Sequence, residues 1–308
     1  MRKVNAALLH RLHLTDLFII FRISLKRLFD NNPLVLSSST AFFTTFSLAP
    51  VTLILISLFG LLYNQNIVEN EIMHKLQEVF GSATARMVSR IINNISGFSR
   101  TWYYTLAGFA MLIFVATTML VVVQNSINQI WGFKPKVRRH VKDYLRDRAI
   151  SFFIILISGV LIMTSFLIQT LLGIIKRNLG DYFPSVNLSL LQALNEIVSF
   201  VIVVIWFAII YRFLPAARIP WRAVFVGSLC TSILFSAGRF ILVRVLPESN
   251  LSTIYGASGS YVLILLFVFY SAWIFYLGAS FTRVFAEYAG YKIVPKPYAV
   301  KVKTIEVA

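Results

Sequence analysis

The sequence predicts an all-α polytopic membrane protein with six transmembrane helices, an N-terminal amphipathic helix and a helical extracytoplasmic loop. Three observations carry this reading. Of the 308 residues, 58% are hydrophobic and only 13% charged, where a soluble domain carries about 25% charged residues. The apolar excess is gathered into six long runs that are almost free of charge, each near the roughly 20 residues that cross a bilayer. Lys and Arg are split unevenly between the connecting segments, 21 on one side of the runs and 7 on the other. Such residues concentrate on the cytoplasmic side. Both termini are therefore expected in the cytoplasm, which an even number of spans allows. The expected division is a cytoplasmic segment over 1–33, a transmembrane domain over 34–286 and a cytoplasmic tail over 287–308.

Leu14–Phe29 repeats Leu14, Leu17, Phe18, Phe21, Leu25 and Leu28 at helical spacing. It is too short and too charged to span, with Asp16, Arg22 and Lys26 interspersed. Such a helix lies on an anionic leaflet or docks on the end of the bundle. The first span follows Asn31-Asn32-Pro33 and covers about Ser37–Tyr63. Its first half is rich in hydroxyls, from Ser37 to Ser47, and Pro50 removes one backbone hydrogen bond. Hydroxyls here either serve packing or wall a hydrated cavity. Residues 64–100 form a long polar connection. Val68, Ile72, Leu76 and Val79 mark one amphipathic helix in it, and Met87, Ile91 and Ile95 a second.

The second span, about Trp102–Val123, runs on into Gln124, Asn125, Asn128, Gln129 and Trp131. Amides at this density form an interfacial polar cluster or a capping network. Lys134–Arg148 holds seven Lys and Arg against two Asp, which suits a topology determinant in contact with lipid headgroups. Tyr144 is its one aromatic besides His140, too few to stack bases, so no nucleic-acid partner is expected. The third and fourth spans cover about Ala149–Leu172 and Leu194–Phe213. The tail beyond Glu287, with Pro295 and Pro297, reads as polar and extended.

The fifth and sixth spans flank the small-residue hairpin Tyr255-Gly256-Ala257-Ser258-Gly259-Ser260. On a helix, Ser228, Ser232, Ser236 and Arg239 fall within roughly 80° of one another. A charge in a span is costly unless it faces protein, a wet cavity or the interface. Two readings stay open. The serines allow close packing while Arg239 snorkels, or the stripe faces a substrate. Arg239 lies 17 residues beyond Arg222, so roughly 25 Å along the helix, near the outer end. If the stripe binds a ligand, the candidate lipid- or substrate-contacting residues are Arg239, Ser228, Ser232 and Ser236, with Tyr255 and Gly256 in the hairpin and the amides Asn125 and Asn128.

Cys230 stands alone, which excludes an intramolecular disulfide and a cysteine metal site. No nucleotide-binding motif is present, and His10, His13, His74 and His140 are joined by no acidic cluster. No cofactor and no catalytic residue are expected. The partners expected are membrane lipids, including anionic headgroups, and the small-residue faces leave room for a homo-oligomer.

Several pieces taken together have a familiar order. Ser39-Thr40-Ala41-Phe42-Phe43 leads to Ser47-Leu48-Ala49-Pro50, then Asn128-Gln129-Ile130-Trp131-Gly132, Tyr255-Gly256-Ala257-Ser258-Gly259 and Leu277-Gly278-Ala279. Over about Phe29–Phe285 the chain resembles the YihY/BrkB family of bacterial inner-membrane proteins. The resemblance implies six transmembrane helices in a bacterial plasma membrane and a basic residue in the fifth span, the place of Arg239. It implies no settled activity: the family has carried the labels ribonuclease BN and virulence factor. Members commonly continue the Gly-Ala motif with Glu, where this chain has Ser280. The function expected is transport or flipping of an anionic or amphiphilic envelope molecule. A non-catalytic scaffold is the alternative, and a ribonuclease the remote one. A continuous polar cavity between the helices would separate the first from the second.

Overall fold

The computed structural model describes residues 14–60, 65–80, 82, 85–86, 88–90, 92, 102–136, 141–182, 188–248 and 259–302. Eight long helices dominate it: α1 (Leu14–Phe29), α2 (Pro33–Gly60), α3 (Gln65–Phe80), α4 (Trp102–Ile130), α5 (Val141–Tyr182), α6 (Leu188–Phe213), α7 (Trp221–Glu248) and α8 (Gly259–Tyr288). Six of them, α2 and α4 to α8, are long and apolar enough to cross a membrane. The protein is thus an all-α multi-pass membrane protein. Each spanning helix packs against the next in the chain, and α8 closes back onto α2. The result is a ring, with α2 and α8 its most enclosed members and α6 its most peripheral.

Many of the hydroxyls that would be costly in lipid are satisfied within their own helices. Thr40, Thr45, Thr117, Ser126, Ser158, Thr231 and Thr282 each donate to the carbonyl four residues back. This lets the hydroxyl-rich α2 sit in an apolar bundle, and it runs as one helix through Pro50.

The contact between α7 and α8 is reciprocal. A Cβ built on Gly227 would lie 1.8 Å from Thr282 Oγ1, and one on Gly278 would lie 1.8 Å from Thr231 Oγ1. Each threonine also bonds the carbonyl of the glycine on its own helix, Thr231 to Gly227 at 2.7 Å and Thr282 to Gly278 at 2.8 Å. Two Gly-xxx-Thr segments on antiparallel helices therefore interlock, each threonine filling the notch of the other helix. Small residues let helix backbones approach in this way where no hydrophobic force joins them.

One end of the ring carries two short antiparallel ladders. β1 (Phe133–Pro135) pairs with β4 (Ala299–Lys301), Phe133 opposite Lys301. β2 (Ala217–Arg218) pairs with β3 (Val294–Pro295), Arg218 opposite Val294. The segment after α8, expected to be polar and extended, forms the short strands β3 and β4 and is threaded across both loops of this ladder end. It turns back at Gly290, whose φ of 72° closes the helix, and buries Tyr298 and Ala299 against Ala216. Gly132, with φ 62°, makes the corresponding turn from α4 into β1.

The helix α1 docks on α8 at the same end. Its buried face is Ile20, Ser24 and Leu28, with Leu17, Phe21 and Leu25 half-buried, while Phe18 is 69% exposed. Ser280 Oγ donates to the Ser24 carbonyl at 2.8 Å, and Tyr288 Oη donates to Asp16 at 2.8 Å. An Arg27–Glu287–Arg283 ion-pair cluster completes the joint. Of the two placements the sequence allowed, docking is realised, with Phe18, Ile19 and Ile23 left exposed on the other side. At the far end, α3 packs on α2 through buried Val68 and Ile72. Beyond it Ala85, Val88 and Ile92 are buried, while Met87, Ile91 and Ile95 lie outside the described residues.

The interlock makes a direct prediction. Gly227→Ala or Gly278→Ala destabilises the detergent-solubilised protein by roughly 1–3 kcal/mol, the usual cost of overpacking. Gly108→Ala, where an added Cβ meets nothing within 4 Å, leaves the melting temperature unchanged or slightly higher. Equal melting temperatures for all three variants would show that the α7–α8 approach is not tight.

Candidate functional site

Within the ring lies a half-open cavity of about 380 Å³ to which all six spanning helices contribute. Its walls are Thr40, Thr44, Ser47 and Val51 from α2, Val123 from α4, Ile155 and Ser158 from α5, Trp206 and Phe207 from α6, Phe235 from α7, and Val268, Ser271 and Phe275 from α8, among others. The hydroxyl-rich first span does face a cavity, but the cavity is apolar. Thr40 Oγ1 is bonded back to Leu36 at 2.9 Å, Ser47 Oγ to the Val115 carbonyl of α4 at 3.0 Å, and Ser158 Oγ to Ile154 at 2.7 Å while accepting from Trp206 Nε1. Thr44 Oγ1 is buried without a hydrogen-bond partner. The walls therefore present carbon, and the space suits an alkyl chain rather than a hydrated solute.

Toward the ladder end the cavity meets a layer of bonded aromatics. Tyr211 and Tyr276 are fully buried behind Phe275 and Thr40. Tyr211 Oη donates to the Phe275 carbonyl at 2.7 Å and lies 3.0 Å from Thr231 Oγ1. Tyr276 Oη bonds to Thr40 Oγ1. Because the Thr40 hydrogen already goes to Leu36, the tyrosine is the donor. Phe207, Tyr211 and Phe275 pack ring against ring, with centroids 5.1–6.3 Å apart.

The predicted site residues are dispersed. Ser228 and Ser232 are fully buried, and neither Oγ has a hydrogen-bond partner. Ser236 and Arg239 are exposed, and none of the four lines the cavity. Phe235 alone represents α7 there. Tyr255 and Gly256 lie outside the described residues. Asn125 is exposed. Asn128 is buried and accepts from the Ala216 backbone N–H at 2.7 Å, so it clamps the loop between α6 and α7.

Two features of this region were not apparent from sequence. The basic stretch after α4 is helical from Val141 on. Its Asp147 is thereby buried against Gln124, whose amide donates to it at 3.2 Å. Its Arg148 reaches the Phe114 carbonyl, Thr117 and Thr118 of α4 at 2.8–2.9 Å and stacks over the Phe114 ring. Half-buried Arg148 is thus tied to α4. An amphipathic reading of the 141–148 charges would have revealed it.

The second feature is Lys296, 8% exposed on the segment after α8. Its Nζ donates to the Phe213 carbonyl at 3.0 Å. Burial pushes its pKa from 10.5 down to about 8; Arg146, Arg218 and Arg212 add to the effect and Asp147 opposes it. The unfolded chain keeps this proton up to its ordinary value of 10.5, whereas the folded chain releases it near 8. The unfolded state thus binds more protons in that window, and stability rises with pH across it. Below the window the protonated, buried ammonium is destabilising. We expect the difference in melting temperature between Lys296→Met and wild type to favour the variant near neutral pH and to shrink between about 8 and 10.5. A difference constant with pH would show that Lys296 titrates normally. Among the described residues no group of three His, Cys, Asp or Glu is placed to hold a metal ion.

Comparison with known proteins places these features in context. A family model described as Virulence factor BrkB matches residues 24–302. A UPF0761 membrane protein of Teredinibacter turnerae is 24% identical over 82% of this chain and 57% of its own length. One from Mannheimia succiniciproducens is 23% identical over 91% and 93%, and one from Chlorobium chlorochromatii 26% identical over 82% and 56%. The chain thus spans a little over half the length of two of these relatives and nearly all of the third. No solved structure matches.

Proposed function

The chain belongs to the Virulence factor BrkB family, and from that premise we propose that it binds an amphiphilic envelope molecule and moves it within or across a bacterial inner membrane. The observation that carries this reading is the half-open apolar cavity of about 380 Å³ lined by all six spans. A packed interior has few voids larger than a water molecule. The cavity is not the continuous polar one that would mark a carrier of hydrophilic solutes, so the reading narrows to a molecule with an apolar chain; a scaffold built only for packing gains nothing from such a space. An acyl or prenyl chain would replace the missing contacts. The headgroup would then sit near an end of the ring, and at the far end Ser236 and Arg239 stand exposed on α7 to meet an anionic one.

In this reading both termini lie in the cytoplasm, with the ladder end inward. A cysteine placed at Asn178 in a Cys230→Ser background should react with an impermeant reagent from outside the cell. One placed at His140 should react only after permeabilisation. The reverse pattern would invert the orientation.

The cavity itself is tested with a phospholipid carrying a photoreactive acyl chain, incorporated into proteoliposomes with the full chain. Crosslinks should map to cavity residues such as Val51, Val268 and Phe235. Thr44→Phe fills the space and removes an unbonded hydroxyl, so it should fold at least as well while reducing those crosslinks by roughly tenfold or more, a loss of about 1.4 kcal/mol in binding. Labelling confined to the outer, lipid-facing residues, or unchanged in Thr44→Phe, would sink the cavity reading. Arg239→Gln with transfer equal to wild type would remove only the headgroup contact.

A further inference from the structure

At the ladder end, away from the cavity, cations outnumber acids among the described residues. Lys296 forms the buried floor, 8% exposed. Around it stand Arg146 on α5, whose guanidinium lies over Tyr298 two residues along, Arg212 at the end of α6, next to the Phe213 whose carbonyl Lys296 bonds, and Arg218 on β2, opposite Val294 in the ladder just before Lys296; Asp147 is the acid among the described groups that act on its ammonium. Among the described residues four cations gather around one carboxylate, which also accepts from Gln124. Topology alone does not require this. An exposed lysine satisfies the positive-inside rule as well as a buried one, and a buried ammonium is costly unless paired.

The cations are fixed in place by contacts that leave donors over. Lys296 uses Nζ on the Phe213 carbonyl, one of its three donors. Arg212 Nη1 bonds the Ile219 carbonyl, and its guanidinium lies 5.3 Å from the centre of the Trp221 ring. The Arg146 guanidinium stacks over Tyr298 at 5.0 Å, and its rim position, like that of Arg218, is exposed. Beside the bowl, Phe213, Trp221 and Phe225 form an exposed aromatic series, 42–50% open, with neighbouring rings 5.6–6.1 Å apart. Aromatic side chains of this kind sit at the boundary between headgroups and hydrocarbon.

We propose that Lys296, Arg146, Arg212 and Arg218 form a binding site for a phosphate group, supplied by the headgroup of an anionic phospholipid whose chains lie along Phe213, Trp221 and Phe225. The phosphate adds counter-charge to a group in which cations outnumber acids among the described residues, and charge-assisted hydrogen bonds to arginine and lysine hold it. The site is separate from the cavity and stands whether or not the cavity carries a ligand.

The full chain is placed in nanodiscs of phosphatidylcholine, of phosphatidylcholine with phosphatidylglycerol, and of phosphatidylcholine with added inorganic phosphate. Its melting temperature is read in each. We expect phosphatidylglycerol to raise it for wild type. Lys296→Met should lose most of that rise, its affinity for phosphatidylglycerol falling by roughly tenfold or more. The rim variant Arg146→Gln with Arg218→Gln changes only exposed side chains, so it decides the matter if Lys296→Met does not fold; it too should lose most of the rise. Arg22→Gln, an exposed charge on α1, should keep it. A Lys296-dependent rise with inorganic phosphate and none with phosphatidylglycerol would support the phosphate site and make its source a soluble ion. The same melting temperature in all three discs, or a rise that Arg22→Gln diminishes as much as the rim variant does, would overturn the proposal.

Discussion

The interlock of Gly227 with Thr282 and of Gly278 with Thr231 sets the distance between α7 and α8, and much of the ring follows from it. Lipid chains are as apolar as leucine, so helices in a bilayer associate through close packing and hydrogen bonds rather than by escaping water. Once Thr231 is seated against Gly278, its hydroxyl becomes a fixed point for Tyr211, which draws the end of α6 onto both helices. The same approach presents the Phe275 ring to the cavity. One turn further along α8, the Ala279 carbonyl accepts from the fully buried Trp131, which fixes the end of α4. Ser280 serves a structural bond to α1.

The six spans were legible because each is a long run with few charges. The docking of α1 was half legible. Leu17, Phe21, Leu25 and Leu28 have helical spacing, but the true contact face is centred on Ile20 and Ser24. A serine on an apolar face reads as an interruption until a partner such as Ser280 is known. The ladders could not be read. Strands of two or three residues have no periodicity, and Pro295 and Pro297 argue locally for an extended, unpaired segment. Their partners lie far away in the chain, and only the fold brings them together.

The hydroxyls of α2 show a different limit. Residue type alone suggested either packing or a wet wall. The answer is a cavity wall whose hydroxyls mostly turn inward to their own backbone or to Val115, so polar residues line an apolar space. The serine stripe on α7 is likewise split by depth, its first two members buried and its last two exposed. Polar chemistry is concentrated instead at the ladder end, where Asn128, Gln124, Asp147, Arg283 and Lys296 are all committed to contacts between elements.

The threading of residues 294–301 through both loops carries a consequence for biosynthesis. β1 leaves the ribosome well before its partner, since Ala299 follows Pro135 by 164 positions, on the order of ten to thirty seconds at about 5–20 residues per second. During that interval all the later spans must enter the bilayer while β1, and later β2, wait with their backbone groups in water. The ladders then act as a latch that closes only over a complete set of spans. A chain missing one helix would leave β3 and β4 on the wrong side of the membrane from the loops they join. Assembly of this end thus reports that insertion has finished correctly.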